Sequence, residues 1–255
     1  MPLEIVTVPA LDDNYDFLIH DSETGATACV DVADEAPIQA ELAARGWQLS
    51  EIWLTHHHDD HIQGAAALKA ATGALIRGAE ADAHRLPPLD AAHQPGTQFT
   101  FAGHEVDIFD VSGHTIGHVA FYIPSASALF SADSLMALGC GRLFEGTPDQ
   151  MWASLGTLMQ LPEETTVYSG HEYTASNAKF AVTIEPQNAA LKSRADEIAK
   201  AREEGRPTVP SNLGVEKATN PFLRAHLPEV KAAIGMADAT DAAVFTEIRK
   251  RKDNF

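Results

Sequence analysis

The stretch LTHHHDDH, residues 54–61, places four histidines and two aspartates in six consecutive positions. It continues the apolar run EIWLT (51–55), which predicts a buried strand that ends at the cluster. Successive side chains of a strand point to opposite faces, so His56 and His58 would point one way and His57 the other. Asp60 and His61 follow at the turn into the next predicted helix. The spacing therefore predicts two pairs of ligands for two neighbouring metal ions.

A bland alternative is that the histidine run is a solvated loop that binds metal only incidentally. The preceding apolar strand argues against it. Two carboxylates and four imidazoles in one buried turn would be unstable without cations to compensate them. We therefore favour a metal centre.

Further ligands occur where other predicted strands end. His114 lies in DVSGHTIGH, Asp133 in LFSADS and His171 in VYSGHEY, and loops that leave strands are where such folds assemble their sites. The whole set suffices for two metals that share the Asp133 carboxylate. Two ions about 3.5–4 Å apart can hold and ionise a bridging water, which predicts hydrolysis without a protein nucleophile.

The composition of the chain disfavours some classes of binding partner. The chain has 255 residues and a formal net charge of −18, which disfavours binding to nucleic acid or to anionic membranes. We see no secretory signal and no apolar run near the ~20 residues of a membrane span. Two cysteines are too few for a disulfide framework, so we predict a reduced, cytoplasmic protein and expect a monomer.

The order of predicted elements suggests two domains. Strand-like runs alternate with short turns and helices over residues 1–173. The predicted helices include IQGAAALKAATG (62–73) and one that Thr147 would cap and Pro148 would begin, and the region around HRLPPLDAAHQPG (84–96) is predicted to be rich in loop. From Thr174 onward the composition favours helices, interrupted by a connector rich in Pro, Gly and Asn over residues 206–221. We place the domain boundary near residue 173.

The ligand motifs THHHDDH, GHTIGH, SAD and SGHEY resemble, in order and spacing, those of the metallo-β-lactamase superfamily. Five more stretches resemble the hydroxyacylglutathione hydrolase (glyoxalase II) family: LDDNY (11–15), GCGRLFEGTPDQM (139–151), SGHEYT (169–174), TNPFLR (219–224) and RKRKDNF (249–255). The resemblance implies an α+β fold, with a metallo-β-lactamase-like αβ/βα sandwich over residues 1–173 and a small all-helical substrate-binding domain over residues 174–255.

The resemblance also implies the roles of single residues. The first metal would be bound by His56, His58 and His114, and the second by Asp60, His61 and His171, with Asp133 bridging both. Asp60 and Asp133 would be the catalytic carboxylates, and Asp60 would orient the attacking hydroxide or accept its proton. His57 is not a ligand in the family. The glutathione moiety would be contacted by Arg142, Phe144, Tyr173, Arg249 and Lys252.

The basic run at residues 249–252 has two possible interpretations, substrate binding or a solvated helix end. It is the densest cationic run in an acidic chain, and the two free carboxylates of a glutathione thioester suit an arginine fork and a lysine charge. A solvated helix end would explain the same residues. The family resemblance decides between the two interpretations, in favour of substrate binding.

We expect hydrolysis of S-2-hydroxyacylglutathione thioesters, chiefly S-D-lactoylglutathione, by a hydroxide held between two divalent metals, in methylglyoxal detoxification. Zinc is the expected metal, with iron or manganese as alternatives. One rival is a mono-iron glutathione persulfide dioxygenase on the same scaffold, and another is a non-enzymatic metal-binding protein. His118 is interpreted as a structural hydrogen-bonding residue, and Cys140 has no basic partner that would make it a nucleophile.

Overall fold

A computed structural model describes residues 3–255, which form two compact units. The first unit contains the chain up to Val111 together with Ile116–Ala132. The second contains Ser112–Thr115 and Asp133–Phe255. The domain boundary near residue 173 stays a prediction.

The first unit begins with a six-stranded sheet in the order β1-β2-β3-β4-β5-β6. Strands β1 to β3 pair antiparallel, and β3 to β6 pair parallel. The strands are β1 (Glu4–Ala10), β2 (Asn14–His20), β3 (Ala26–Val30), β4 (Gln48–Trp53), β5 (Leu75–Ala79) and β6 (Ala91–His93). The helices between them are α1 (Glu35–Arg45), α2 (Asp59–Ile62) and α3 (Ala65–Thr72).

Four antiparallel strands in the order β10-β9-β8-β7 complete the first unit. They are β7 (Gln98–Phe101), β8 (His104–Asp110), β9 (Val119–Ile123) and β10 (Ala128–Ala132). Short 3₁₀ helices lie at Glu80–Asp82 and Pro124–Ala126. Every residue of β9 (VAFYI) and β10 (ALFSA) is buried, which accounts for their largely apolar sequences.

The parallel pairing of β3 with β4 positions the histidine cluster. Carboxyl ends of parallel strands meet at the same edge of a sheet, and the amide of Asp31, just after β3, donates to the carbonyl of Trp53 at 2.9 Å. Leu18, Ile52 and Leu68 are fully buried in the apolar core of this unit. The loop that carries the histidines therefore leaves a rigid, buried strand.

One local prediction for this unit is wrong. The helix predicted over residues 62–73 is two helices, α2 and α3, separated at Gly64. A Cβ at Gly64 would lie 2.7 Å from the amide nitrogen of Glu35, so close packing against the start of α1 requires glycine here. The region around residues 84–96, predicted to be rich in loop, is loop except for the three residues of β6, which pairs with β5.

The second unit is mostly helical. Its strands are β11 (Leu135–Met136), β12 (Gly139–Cys140), β13 (Thr166–Ser169) and β14 (Ser211–Asn212), and β11–β12 and β13–β14 form antiparallel pairs. Its helices are α4 (Pro148–Leu158), α5 (Thr174–Ile184), α6 (Ala189–Glu203), α7 (Leu213–Thr219), α8 (Pro228–Ala233) and α9 (Asp241–Asp253).

The predicted start of α4 is confirmed. The Thr147 side chain accepts from the amide of Gln150, and the Gln150 side chain accepts from the amide of Thr147, a reciprocal capping box. The connector predicted over residues 206–221 is wrong in part, because Asn212 caps α7 by accepting from the amide of Val215 at 3.1 Å. Within residues 3–255, no helix combines the length and apolar character required to cross a membrane.

Candidate metal centre

The loop after β4 brings two predicted ligands of the first unit together. The Nε2 atom of His56 lies 3.2 Å from Nδ1 of His58. His56 is fully buried, and His118 stacks on its ring with centroids 4.5 Å apart. The two nitrogens that approach each other are the atoms that a shared cation would contact.

The second predicted pair of this unit is held at the start of α2. Nε2 of His61 lies 3.9 Å from Oδ2 of Asp60. The Asn14 side chain donates to that Oδ2 at 3.1 Å and to the Asp60 carbonyl at 2.9 Å. Asn14 therefore holds both the backbone and the carboxylate of Asp60.

Asp31 is a site residue that the sequence analysis missed. It is 3% exposed, and its Oδ2 lies 2.8 Å from Nδ1 of His61. Its two oxygens also accept from the amide and the hydroxyl of Thr55, both at 2.8 Å, and that hydroxyl lies 3.0 Å from Nδ1 of His56. One buried carboxylate thus supports the Nδ1 sides of two histidines, which directs their Nε2 atoms outward for a metal.

His57 is held away from the predicted ligand pair, although β4 ends at Trp53 and the histidines lie in the loop beyond it, so the predicted strand alternation does not apply. Its Nδ1 lies 3.0 Å from Oδ2 of Asp82, a fully buried carboxylate that also pairs with Arg85 at 2.6 Å. Gly117 packs against the same carboxylate, because a Cβ there would lie 2.7 Å from its Cγ. His57 therefore fixes the outer side of the loop.

In the second unit, Asp133 lies between two predicted histidine ligands. Its Oδ2 is 3.4 Å from Nε2 of His114 and 3.3 Å from Nε2 of His171, and all three residues are buried. Nδ1 of His114 lies 2.7 Å from the carbonyl of Arg142. That hydrogen bond places the ring proton on Nδ1, so Nε2 is the ring nitrogen with the lone pair that a metal would require.

The loop at residues 112–115 is held by α4. The Ser154 hydroxyl donates to the carbonyl of Ser112 at 2.7 Å. Gly113 adopts a φ of 152°, and a Cβ there would lie 2.7 Å from Cβ of Met151. This packing explains why the sequence before His114 contains glycine.

Exposed aromatic side chains flank the histidines of the second unit. Tyr173, 39% exposed, stacks on His171 with centroids 4.7 Å apart and planes 3° apart. Phe144, 61% exposed, meets His114 edge-on at 5.3 Å, and Arg142 lies over Phe144 at 6.0 Å. Large exposed aromatics beside buried histidines are typical of a binding surface.

The two predicted cations of α9 have different environments. Arg249 is 7% exposed, donates to the carbonyl of Cys140 at 2.9 Å and pairs with Asp253 at 2.7 Å. Lys252 is more exposed and lies 5.5 Å from the rings of Phe180 and Phe255. Burial lowers the pKa of Lys252, and the Arg249 charge lowers it further. The guanidinium of Arg249 is therefore bound to groups of the chain itself, whereas the ammonium group of Lys252 is more exposed to solvent.

Cys140 does not have the properties of a nucleophile. Burial raises the pKa of its thiol to about 11, although the Arg249 charge opposes that shift. Because the thiolate is the reactive form, this thiol is inert near neutral pH.

The donor set of each unit fits divalent metals. Imidazole nitrogens and carboxylate oxygens are the ligands that zinc, iron and manganese accept. In the first unit, ligand atoms of Asp31, His56 and His61 lie within 4.8 Å of one another. In the second, an imidazole nitrogen of each of two histidines approaches one carboxylate oxygen, an arrangement that a cation would stabilise.

Comparison with known proteins defines the class. Residues 24–171 match the model of the metallo-beta-lactamase superfamily, and residues 172–255 match the model of the hydroxyacylglutathione hydrolase C-terminus. The BLEG-1 B3 metallo-beta-lactamase has a TM-score of 0.68 at 20% identity, covering 86% of this chain and 99% of that one. TTHA1623 in a di-iron-bound form has a TM-score of 0.63 at 25% identity, covering 86% and 100%. The fold is that of the metallo-β-lactamase superfamily.

One relative narrows the class. A hydroxyacylglutathione hydrolase of Ruegeria pomeroyi is 62% identical over 255 residues, the full length of both chains. This chain therefore belongs to the hydroxyacylglutathione hydrolase family. The predicted fold class is confirmed: a metallo-β-lactamase domain is followed by the helical C-terminal domain of that family. The assignment of individual site residues stays a prediction.

Proposed function

We propose that this chain hydrolyses S-2-hydroxyacylglutathione thioesters, chiefly S-D-lactoylglutathione, to the 2-hydroxy acid and glutathione in methylglyoxal detoxification. One observation carries the proposal. In the second unit, exposed Tyr173 and Phe144 contact His171 and His114, the two histidines that converge on Asp133. A thioester bound against these rings would have its acyl group next to the ligands.

The proposed ligand set holds two divalent cations, with zinc as the first choice and iron or manganese as alternatives. The ligands of one ion are His56, His58 and His114, those of the other are Asp60, His61 and His171, and Asp133 serves both. Bound cations would supply Lewis-acid polarisation of the thioester carbonyl and an acidified water.

A carboxylate of the chain is proposed to accept the proton of the attacking water. Oδ2 of Asp60, which accepts from Asn14 at 3.1 Å, would orient the attacking water or take up its proton. The leaving group is a thiol with a pKa of about 8.5, so it departs as thiolate without a dedicated general acid. Asp60 and Asp133 are therefore the proposed catalytic carboxylates.

Substrate binding is assigned to the second unit. Lys252 and Arg142 supply positive charge for the two glutathione carboxylates, and Tyr173 and Phe144 supply apolar surface. Phe144 lacks the hydroxyl that a tyrosine would offer. Arg249 supports this surface through Cys140 and Asp253.

The compartment follows from glutathione chemistry and from the thiols. Cys29 and Cys140 are both free and buried, which suits a reducing compartment such as the cytoplasm. We include a cytoplasmic location in the proposal on that basis.

The test compares three substrates on the metal-loaded chain. S-D-lactoylglutathione should be cleaved, and S-lactoylcysteamine, which lacks both glutathione carboxylates, should show kcat/KM at least about 100-fold lower. The reason is that two charge-assisted contacts are lost, each worth about 1.5–3 kcal/mol. Glutathione persulfide should cause no oxygen uptake. Oxygen uptake without thioester cleavage would favour the persulfide dioxygenase instead.

A further inference from the structure

The short hairpin β11–β12, residues 135–140, connects the two sides of the ligand set in the second unit. All of its residues are buried. It begins two residues after Asp133 and ends two residues before Arg142, whose carbonyl receives the Nδ1 hydrogen bond of His114. A movement of this hairpin would therefore displace a ligand on each side.

Side chains from residues 174–255 bind the backbone of this hairpin. Asn220 donates to the carbonyls of Met136 and Gly139 at 3.1 and 3.0 Å. The remaining bonds are those of Asn177 to the Ala137 carbonyl at 3.0 Å, of the Leu138 amide to Glu216 at 2.8 Å, and of Arg249 to the Cys140 carbonyl at 2.9 Å. We call Asn177, Glu216, Asn220 and Arg249 the hairpin clamp.

The centre of the hairpin clamp is a buried polar network. Glu216 and Asn220 are both 0% exposed, and Asn220 donates to Oε2 of Glu216 at 3.1 Å. Arg194 pairs with the other oxygen of Glu216. Leu138 has a φ of 55°, a left-handed conformation that L-residues rarely adopt. The Glu216 carboxylate accepts the amide of this strained residue and so holds the turn.

Close packing leaves the hairpin little freedom to shift. A Cβ at Gly141 would overlap the carbonyl oxygen of Asp133 and lie 3.0 Å from Nδ1 of His114. A Cβ at Gly139 would lie 2.5 Å from Nδ2 of Asn177. The hairpin therefore transmits its position directly to the backbone of Asp133 and to the ring of His114.

We infer that Glu216 and Asn220 are positioning residues for the metal centre, because they hold the hairpin that aligns Asp133 and His114. The inference rests on the proposed assignment of Asp133 and His114 as metal ligands. Residues 174–255 would then have a second role besides substrate binding, because Glu216 and Asn220, which are distant in sequence from the ligands, would set the affinity for metal.

The test uses the full-length variants Asn220→Ala and Glu216→Gln. Asn220→Ala removes the hydrogen bonds to the carbonyls of Met136 and Gly139. Glu216→Gln keeps the side-chain volume, so it serves if Asn220→Ala does not fold. The matched control is Glu185→Gln, since Glu185 is also a buried carboxylate, 6% exposed, that pairs with Arg224 at 2.9 Å in the same unit but is not part of the hairpin clamp.

Metal affinity is measured by competition with a chromophoric chelator, and stability by thermal unfolding of the metal-free chains. We expect affinity to fall about 10–100-fold in the clamp variants, as for other partners that orient ligands, and to stay near wild type in the control. KM for the thioester at saturating metal should not change.

Three results would overturn the inference. Wild-type metal affinity in folded Asn220→Ala or Glu216→Gln would reduce the clamp to a stability element. An equal loss of affinity in Glu185→Gln would show a general effect of destabilisation. Failure of the wild-type chain to bind two ions would instead refute the proposed ligand assignment, and the inference with it. The wild-type measurement therefore distinguishes failure of the ligand assignment from failure of the clamp inference alone.

Discussion

At the scale of single residues, one carboxylate supports ligands that are proposed to bind different ions. Asp31 contacts His61 directly and reaches His56 through the Thr55 hydroxyl. Its own φ of 57° is left-handed, and such strain is retained where the surrounding contacts require it. Orientation of both rings therefore depends on a residue that is not itself a proposed ligand.

Substitution of these two supports should have graded effects on metal binding. Thr55→Val removes only the hydroxyl beside His56, so the affinity for one ion should fall about tenfold. Asp31→Asn removes the acceptor for His61 and disturbs Thr55 as well, so both ions should bind about 10–100-fold more weakly. Stepwise chelator competition separates the two affinities.

His57→Gln is the matched control for that series. It lies in the same loop and is not a proposed ligand, and the glutamine amide can still donate to Asp82, the contact of His57 that fixes the loop, so the metal affinity should match wild type. Unchanged affinity in Asp31→Asn, or a loss in His57→Gln as large as in Asp31→Asn, would contradict the assignment.

The candidate ligands could be predicted from sequence because their spacing is a local pattern. The predicted strand alternation, which set His57 apart, is wrong, because β4 ends at Trp53 and the contact with Asp82 holds His57 in the loop instead. Asp31 could not be predicted in the same way. It lies in ACVDVAD with no ligand spacing around it, and its role arises from the parallel pairing of β3 with β4, which are separated by α1. Asp31 could have been identified as a carboxylate just after β3, the strand that pairs with β4, because the histidines follow β4.

At the scale of elements, α9 carries cations with two different tasks. Arg249 faces the interior and contacts Cys140, Asp253 and the ring of Phe222. Lys252, one turn later, is near the hydroxyl of Ser176 at 3.3 Å and is more exposed. The basic run is therefore not uniform, which the sequence pattern alone does not show.

Substitutions of Lys252 and Arg249 should affect substrate binding and folding stability to different extents. Lys252→Ala should raise KM about tenfold with kcat and thermal stability nearly unchanged, because it removes one charged contact that is similar in ground and transition states. Arg249→Ala should also lower the free energy of unfolding by about 1–3 kcal/mol, because Cys140 and Asp253 lose a buried donor.

Steady-state kinetics and thermal unfolding of the two variants check this difference. Lys250→Ala is the control, because it stands in the same run and is not a proposed substrate contact. Equal stability loss in Lys252→Ala and Arg249→Ala would contradict the distinction.

Elements with strong local signals could be predicted, and elements set by distant packing could not. The start of α4 follows from Thr147 and Pro148 alone, whereas the break at Gly64 follows from packing against Glu35. Helix α7 lies within a segment whose composition suggests a loop, and its Asn212 cap and buried Glu216 support it instead.

At the scale of the whole molecule, an acidic chain must attract a substrate that carries two carboxylates. The net charge of −18 opposes such binding, and the proposed contacts Arg142, Arg249 and Lys252 provide local positive charge within the second unit. The ligand motifs indicated the superfamily, whereas the substrate class was indicated by the additional motifs LDDNY (11–15) and those of residues 139–255. A metallo-β-lactamase fold does not by itself specify a substrate.

Metal-dependent thioester hydrolysis is tested most directly by titrating the metal-free chain with zinc and measuring bound metal and S-D-lactoylglutathione hydrolysis on the same preparation. We expect hydrolysis to rise with added metal and to reach its plateau when two ions are bound per chain, and we expect Asp133→Asn to bind neither ion tightly. Two bound ions without cleavage of the thioester would contradict the proposed activity.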